Sequence, residues 1–130
     1  MAQIVPVSVL EMPEFQRAAA GLLSEEEVFE AISSIALEPE AGDVMPGTGG
    51  LRKIRIPLRG RGKSGGARVV YGYFGADLPV FVFSCFPKNQ KADLTQAEKN
   101  TLRKRIPVLL EEYRNGVAIR AQARRQASGR

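Results

Sequence analysis

Between Arg52 and Arg68 the chain carries seven basic residues and no acidic one: Arg52, Lys53, Arg55, Arg59, Arg61, Lys63 and Arg68. Lys88 and Lys91 follow a little further on. Cations at this density attract phosphate, and the two residue types do different things to it. An arginine fork grips a phosphate bidentately and stabilises charge developing in a transition state. A lysine crowded by arginines loses its proton more easily and becomes a usable base. Cleavage of RNA by its own 2′-hydroxyl needs a proton acceptor, stabilisation of the scissile phosphate and an in-line geometry. The basic cluster answers the first two needs, and a partner that distorts the RNA would supply the third. Seventeen residues without a counter-charge read better as a phosphate-binding groove than as a solvated face.

Other chemistries are excluded or weak. The chain has no histidine, so a histidine triad, an imidazole base and the usual zinc sites are absent. No metal site and no cofactor are expected. Cys85 is the single cysteine; within an apolar stretch it reads as a buried small residue. Gly62-Lys63-Ser64 resembles the end of a nucleotide-binding loop, but Pro57 stands where the upstream glycine is required. A strand rather than a helix is expected after it, so no helix N-terminus is offered to the phosphates. Asp77 and Asp93 fall in predicted turns. Tyr71 and Tyr73 share a strand face, where they serve either as stacking platforms for bases or as core.

The elements that must position these groups follow from pattern. Ile4–Leu10 is rich in β-branched residues and predicts a strand, with Pro6 at an edge or near the start. Pro13 opens a helix through Leu22. Ser24 and Glu27 form a capping box for a second helix over Glu25–Leu37, ended by Pro39 and Gly42. Strands are predicted over 51–58, 68–74 and 79–86, the last two joined by a short hairpin connection. Thr95 and Glu98 form a second capping box before a helix carrying Leu102, Ile106, Leu109, Leu110 and Tyr113. Pro107 should kink or divide that helix. From about Asn115 the chain reads as a basic tail. The order β-α-α-β-β-β-α predicts an α+β domain, a small, mainly antiparallel sheet with helices on one face.

Length and charge agree with this. The 130 residues are 44% apolar and 25% charged, ordinary for one globular domain. The formal charge of +5 hides a polarised chain. Residues 1–46 hold nine of the 14 acids and one base, Arg17, whereas residues 47–130 hold the other 18 bases and five acids. A basic half of that strength favours a polyanionic partner, nucleic acid first and an acidic protein second. No apolar run approaches the roughly 20 residues that span a bilayer, so a cytoplasmic protein without membrane contact is expected.

Three blocks together resemble RelE/HigB-type toxins of bacterial type II toxin–antitoxin systems, within the RelE/ParE superfamily. They are Gly42-Asp-Val-Met-Pro-Gly-Thr-Gly-Gly-Leu-Arg-Lys-Ile-Arg55, then Gly60-Arg-Gly-Lys-Ser-Gly-Gly-Ala-Arg-Val-Val-Tyr71, then Lys88-Asn-Gln-Lys-Ala-Asp-Leu-Thr95. The similarity spans about residues 10–112. It implies a RelE-like α+β fold, with a small antiparallel sheet, two N-terminal helices packed on it and a C-terminal helix. The toxin domain would be residues 1–114 and the basic tail 115–130. The resemblance further implies a metal-independent endoribonuclease that cuts translated mRNA in the ribosomal A site and so inhibits translation. Its implied partner is a cognate antitoxin, a helix-turn-helix protein through which alone operator DNA would be contacted. Carried over by position, Lys53 would be the base, Arg55 and Arg68 the transition-state stabilisers, and Lys88 and Lys91 the basic loop of the catalytic set. Arg52, Arg59, Arg61, Lys63 and Tyr71 would bind RNA. Phe86-Pro87 stands where tyrosine-alanine is more usual, which removes an aromatic hydroxyl or stacking group, and Gln90 replaces a common glutamate. The alternative is a non-catalytic RNA- or ribosome-binding module of the same fold.

Overall fold

The computed structural model describes residues 6–58, 66–91 and 93–128, with backbone alone from residue 117 onward. The chain forms two compact units, Met1–Pro46 with Gly50–Leu94, and Gly47–Gly49 with Thr95–Arg130.

The first unit is built on a five-stranded sheet. Its strands are β1 (Val9–Glu11), β2 (Asp43–Val44), β3 (Leu51–Ile56), β4 (Ala67–Gly72) and β5 (Val80–Pro87), in spatial order β1-β5-β4-β3-β2. All neighbours are antiparallel except β1 and β5, which run parallel. The runs Val69-Val70 and Val80-Phe81-Val82-Phe83 supply the branched and aromatic side chains that suit a pleated surface. Helices α1 (Pro13–Ala20) and α2 (Glu25–Leu37) cover one face. Phe15, Ala19, Leu23, Ala31 and Ile35 from the helices pack with Ile56, Ala67, Val69, Tyr71, Val80, Val82 and Cys85 from the strands.

Local signals place the two helices as expected. Pro13 occupies the first turn of α1, where a missing N–H costs nothing. Ser24 accepts from Glu27 N–H at 3.1 Å while Glu27 accepts from Ser24 N–H at 2.9 Å. Such a cap is worth about 1 kcal/mol. The first strand is shorter than the sequence suggests. Ile4 and Val5 lie outside the described residues, and Val7 N–H is taken by Ala36 at the end of α2 rather than by a strand. The two-residue β2 escapes pattern reading because it is too short for any period to show.

Between Val70 and Tyr71 the β4–β5 register shifts: Val70 pairs with Ser84 but Tyr71 with Val82. Phe83 is the extra residue of this bulge. It lets Val82 and Cys85, three positions apart, both join the helix-covered core.

In the second unit, α3 runs from Gln96 to Ser128. Thr95 Oγ1 accepts from Glu98 N–H at 3.1 Å, and Glu98 Oε1 from Thr95 N–H at 2.8 Å, completing the second capping box. The expected division at Pro107 does not occur, and the helix continues past residue 114. One proline removes a single backbone donor, and the surrounding leucines, lysines, arginines and glutamates favour helix strongly enough to bridge it.

Gly66, just before β4, has φ of 82°, and a Cβ there would lie 2.7 Å from the Ile56 carbonyl. Its own carbonyl accepts from Lys88 N–H at 2.9 Å, tying the entry of β4 to the exit of β5. Gly66→Ala therefore combines left-handed strain with a backbone clash. It is expected to lower stability by roughly 1–3 kcal/mol, read from urea denaturation.

Candidate nucleic-acid interface

Because paired residues in an antiparallel ladder point to the same side, the register of β3, β4 and β5 sorts the basic residues by face. Ile54 pairs with Val69, and Val69 with Cys85; this row belongs to the core under the helices. The rows on either side of it point the other way. Lys53 lies opposite Val70, which lies opposite Ser84; Arg55 lies opposite Arg68, which lies opposite Phe86. Lys53, Arg55 and Arg68 thus share the sheet face turned away from α1 and α2.

Two like charges directly opposite one another on neighbouring strands are unfavourable unless an anion comes between them. Arg55 is exposed and Arg68 half-buried. The Arg68 Nε atom is buried without a hydrogen-bond partner, the only such side-chain atom among the described residues. Native proteins leave few polar atoms in that condition, and those they leave call for an explanation. The loop after β5 adds a further cation and an anion to this face. Lys91 Nζ lies 5.0 Å from the centroid of the Phe86 ring, a cation–π contact. Lys53 Nζ lies 3.6 Å from Asp93 Oδ2, and Leu94 N–H donates to Asp93 Oδ1 at 2.7 Å. The Lys53 and Asp93 side chains keep 23% and 36% of their exposure, so the pair adds only about 0–1 kcal/mol to stability.

The sequence-based candidates separate accordingly. Lys53, Arg55, Arg68 and Lys91 are brought together. Lys88 stands just past β5, its backbone bonded to Gly66. Arg59, Arg61 and Lys63 lie outside the described residues.

Arg52 is corrected: it alternates to the other face, and its Nη1 donates to the carbonyls of Glu40 and Gly42 at 2.8 and 2.9 Å. It fastens the approach to β2. Tyr71 is corrected too. Its ring is fully buried in the core, and its hydroxyl accepts from Gly42 N–H at 2.9 Å. A stacking platform needs an open ring face, which Tyr71 lacks. Burial raises the Tyr71 pKa, opposed by the Gly42 bond and by Arg52 and reinforced by Asp43. The folded state therefore keeps this proton longer, and the associated stability is lost only as pH climbs above the ordinary tyrosine range.

Two members escaped sequence reading. Asp93 looked like a turn residue before a cap, and nothing in its spacing pointed to Lys53, 40 positions earlier. Phe86, noted as a departure, is buried at 6% exposure and carries Lys91 on its ring. The lysine–aromatic spacing was the only available hint. Cys85 takes no part: it is buried, and desolvation pushes its thiol up to about 11. Among the described residues no cluster of metal-ligating side chains occurs, and no helix is long and apolar enough to cross a membrane.

Two predictions follow from these placements. Tyr71→Phe should cost about 1 kcal/mol of stability, as loss of a neutral hydrogen bond does, while leaving RNA affinity unchanged in a filter-binding titration. Cys85 at pH 8 would be thiolate in roughly one molecule in a thousand. Iodoacetamide should label it at least about 100-fold more slowly in the folded chain than in urea, measured by intact mass.

Comparison with known proteins bears on this geometry. The profile of a family described as the RelE toxin of the RelE/RelB toxin–antitoxin system matches residues 7–119. The fold is similar to a free-state structure of the E. coli toxin RelE carrying two arginine-to-alanine substitutions, with a TM-score of 0.50 and 21% identity. That match covers 68% of this chain and 90% of the other.

Proposed function

Since the chain belongs to the RelE toxin family of toxin–antitoxin systems, we propose that it is a ribosome-dependent endoribonuclease that cleaves mRNA in the A site and is neutralised by its antitoxin. The observation that carries this reading is the direct pairing of Arg55 with Arg68 beside Lys53, on the sheet face not covered by α1 and α2. Folding has placed like charges together where a phosphate would relieve them.

The chemistry follows from the set. Arg55 and Arg68 grip the scissile phosphate and stabilise the extra negative charge that builds up as the 2′-hydroxyl attacks. Lys53 stands at the edge of the same phosphate and takes the 2′-hydroxyl proton as that oxygen bonds to phosphorus and the 5′-oxygen leaves, the role expected from sequence. Its Nζ lies 3.6 Å from Asp93 Oδ2. Lys91, seated on Phe86, and Lys88 extend the positive surface along the RNA backbone. The ribosome contributes the orientation of the 2′-hydroxyl, which positioning alone can make worth many powers of ten. The antitoxin, a helix-turn-helix DNA-binding protein, presents acidic and apolar groups to the basic face and carries the pair to operator DNA. Toxin and antitoxin act in the cytoplasm.

The reading is tested in a purified translation system, with and without ribosomes, by mapping new 5′ ends on the mRNA. Cuts within codons that appear only with ribosomes are expected. The triple variant Lys53→Met, Arg55→Met, Arg68→Met should stay folded by circular dichroism and lose about two orders of magnitude or more in cleavage. A triple variant that still cuts would move the site elsewhere. A folded wild-type chain that binds ribosomes without cutting would establish a non-catalytic binding module, with Phe86-Pro87 the first suspect.

A further inference from the structure

We propose that Asp93 is a positioning residue that acts on the RNA phosphate through Lys53. The inference rests on the RNA-directed reading of this face and adds a residue to it.

An acidic group inside a phosphate-binding surface is at first sight a defect, because it repels the ligand. Asp93 is nevertheless tied in at both oxygens: Oδ1 accepts from Leu94 N–H at 2.7 Å, and Oδ2 faces Lys53 Nζ at 3.6 Å. The backbone bond fixes the carboxylate, and the fixed carboxylate selects among the many rotamers of a flexible lysine. Lys53 leaves the sheet in the row next to Arg55 and Arg68. With its ammonium drawn toward the loop after β5, it occupies a definite place at the edge of the arginine pair.

The same loop carries Lys91 onto the Phe86 ring, and Phe86 pairs with Arg68. Two separate contacts thus seat this loop on the cation face: Lys91 beside the arginine row and Asp93 beside the lysine row. Stability does not account for the second contact, since a pair this exposed contributes little to folding. Geometry does, because a cation misplaced by about 1 Å can cost on the order of a hundredfold in rate.

Asp93→Asn separates the possibilities, because an asparagine Oδ1 can keep the Leu94 bond while the ion pair is lost. A carboxylate that only repelled RNA would, on removal, tighten binding and leave kcat unchanged or raised. A carboxylate that positions Lys53 gives a split: KM for programmed ribosomes unchanged or lower, and kcat reduced about tenfold or more. Asp93→Glu, which keeps the charge, should recover part of that loss. In a Lys53→Met background, Asp93→Asn should have no further effect, since coupled residues are not additive. Unchanged kcat in Asp93→Asn, or additive losses in the double variant, would overturn the proposal.

If the wild type binds ribosomes but does not cut, the cleavage reading fails while this one is still decided. The same cycle is then run on the affinity for a short RNA oligonucleotide. There the Asp93→Asn effect must disappear when Lys53 is methionine, and an effect that persists overturns the proposal.

Discussion

The register of β3 against β4 is the constraint on which the rest of the first unit depends. With Ile54 opposite Val69, every second residue of both strands is committed to the core beneath α1 and α2, and those between are committed to the other face. A slip of β3 by one residue would drive Lys53 and Arg55 into the core and bring Ile54 out. Desolvating two cations costs far more than the cross-strand repulsion of one arginine pair. The repulsion is therefore tolerated as a consequence of the same register that builds the core.

The residues around this register divide the work between holding and meeting. Arg52 and Tyr71 pair with one another on the core side, and both fasten the segment leading into β2, Arg52 through the carbonyls of Glu40 and Gly42 and Tyr71 through Gly42 N–H. One strand step away, Lys53 and Val70 pair on the cation side. Adjacent positions of one basic run thus serve opposite purposes. The cluster looks uniform as a sequence, but among its described members Lys53, Arg55 and Arg68 share the face turned away from α1 and α2, and Arg52 does not.

Much of this was legible before any coordinates. The capping boxes at Ser24 and Thr95 announce helices through local hydrogen bonds, and Pro13 does so through its fixed dihedral; such signals need no tertiary context. The three strong strands show in their branched and aromatic residues. The roles of Arg52 and Tyr71 were not legible, because face assignment depends on which partner strand lies alongside and where the register shifts. Asp93 was hidden for a different reason: its meaning lies in a contact across 40 positions, made by a loop folding back over the sheet. The continuity of α3 through Pro107 shows the limit of treating proline as a stop signal when its neighbours are strong helix formers.

The bulge at Phe83 has a consequence for the faces of the residues beyond it. It works as a phase shifter, adding one residue to β5 so that the inward–outward alternation before it and after it are out of step. Upstream of it, the strand's rhythm is set by the hydrophobic demand of Val80 and Val82; downstream, by the need to keep Cys85 in and Phe86 out. Flattening the bulge with all its residues kept would restore a regular strand and invert everything beyond it, trading the seat of Lys91 for a core position. The faces of Cys85 and Phe86 therefore depend on Phe83 being accommodated as a bulge, and not on the length of β5 alone.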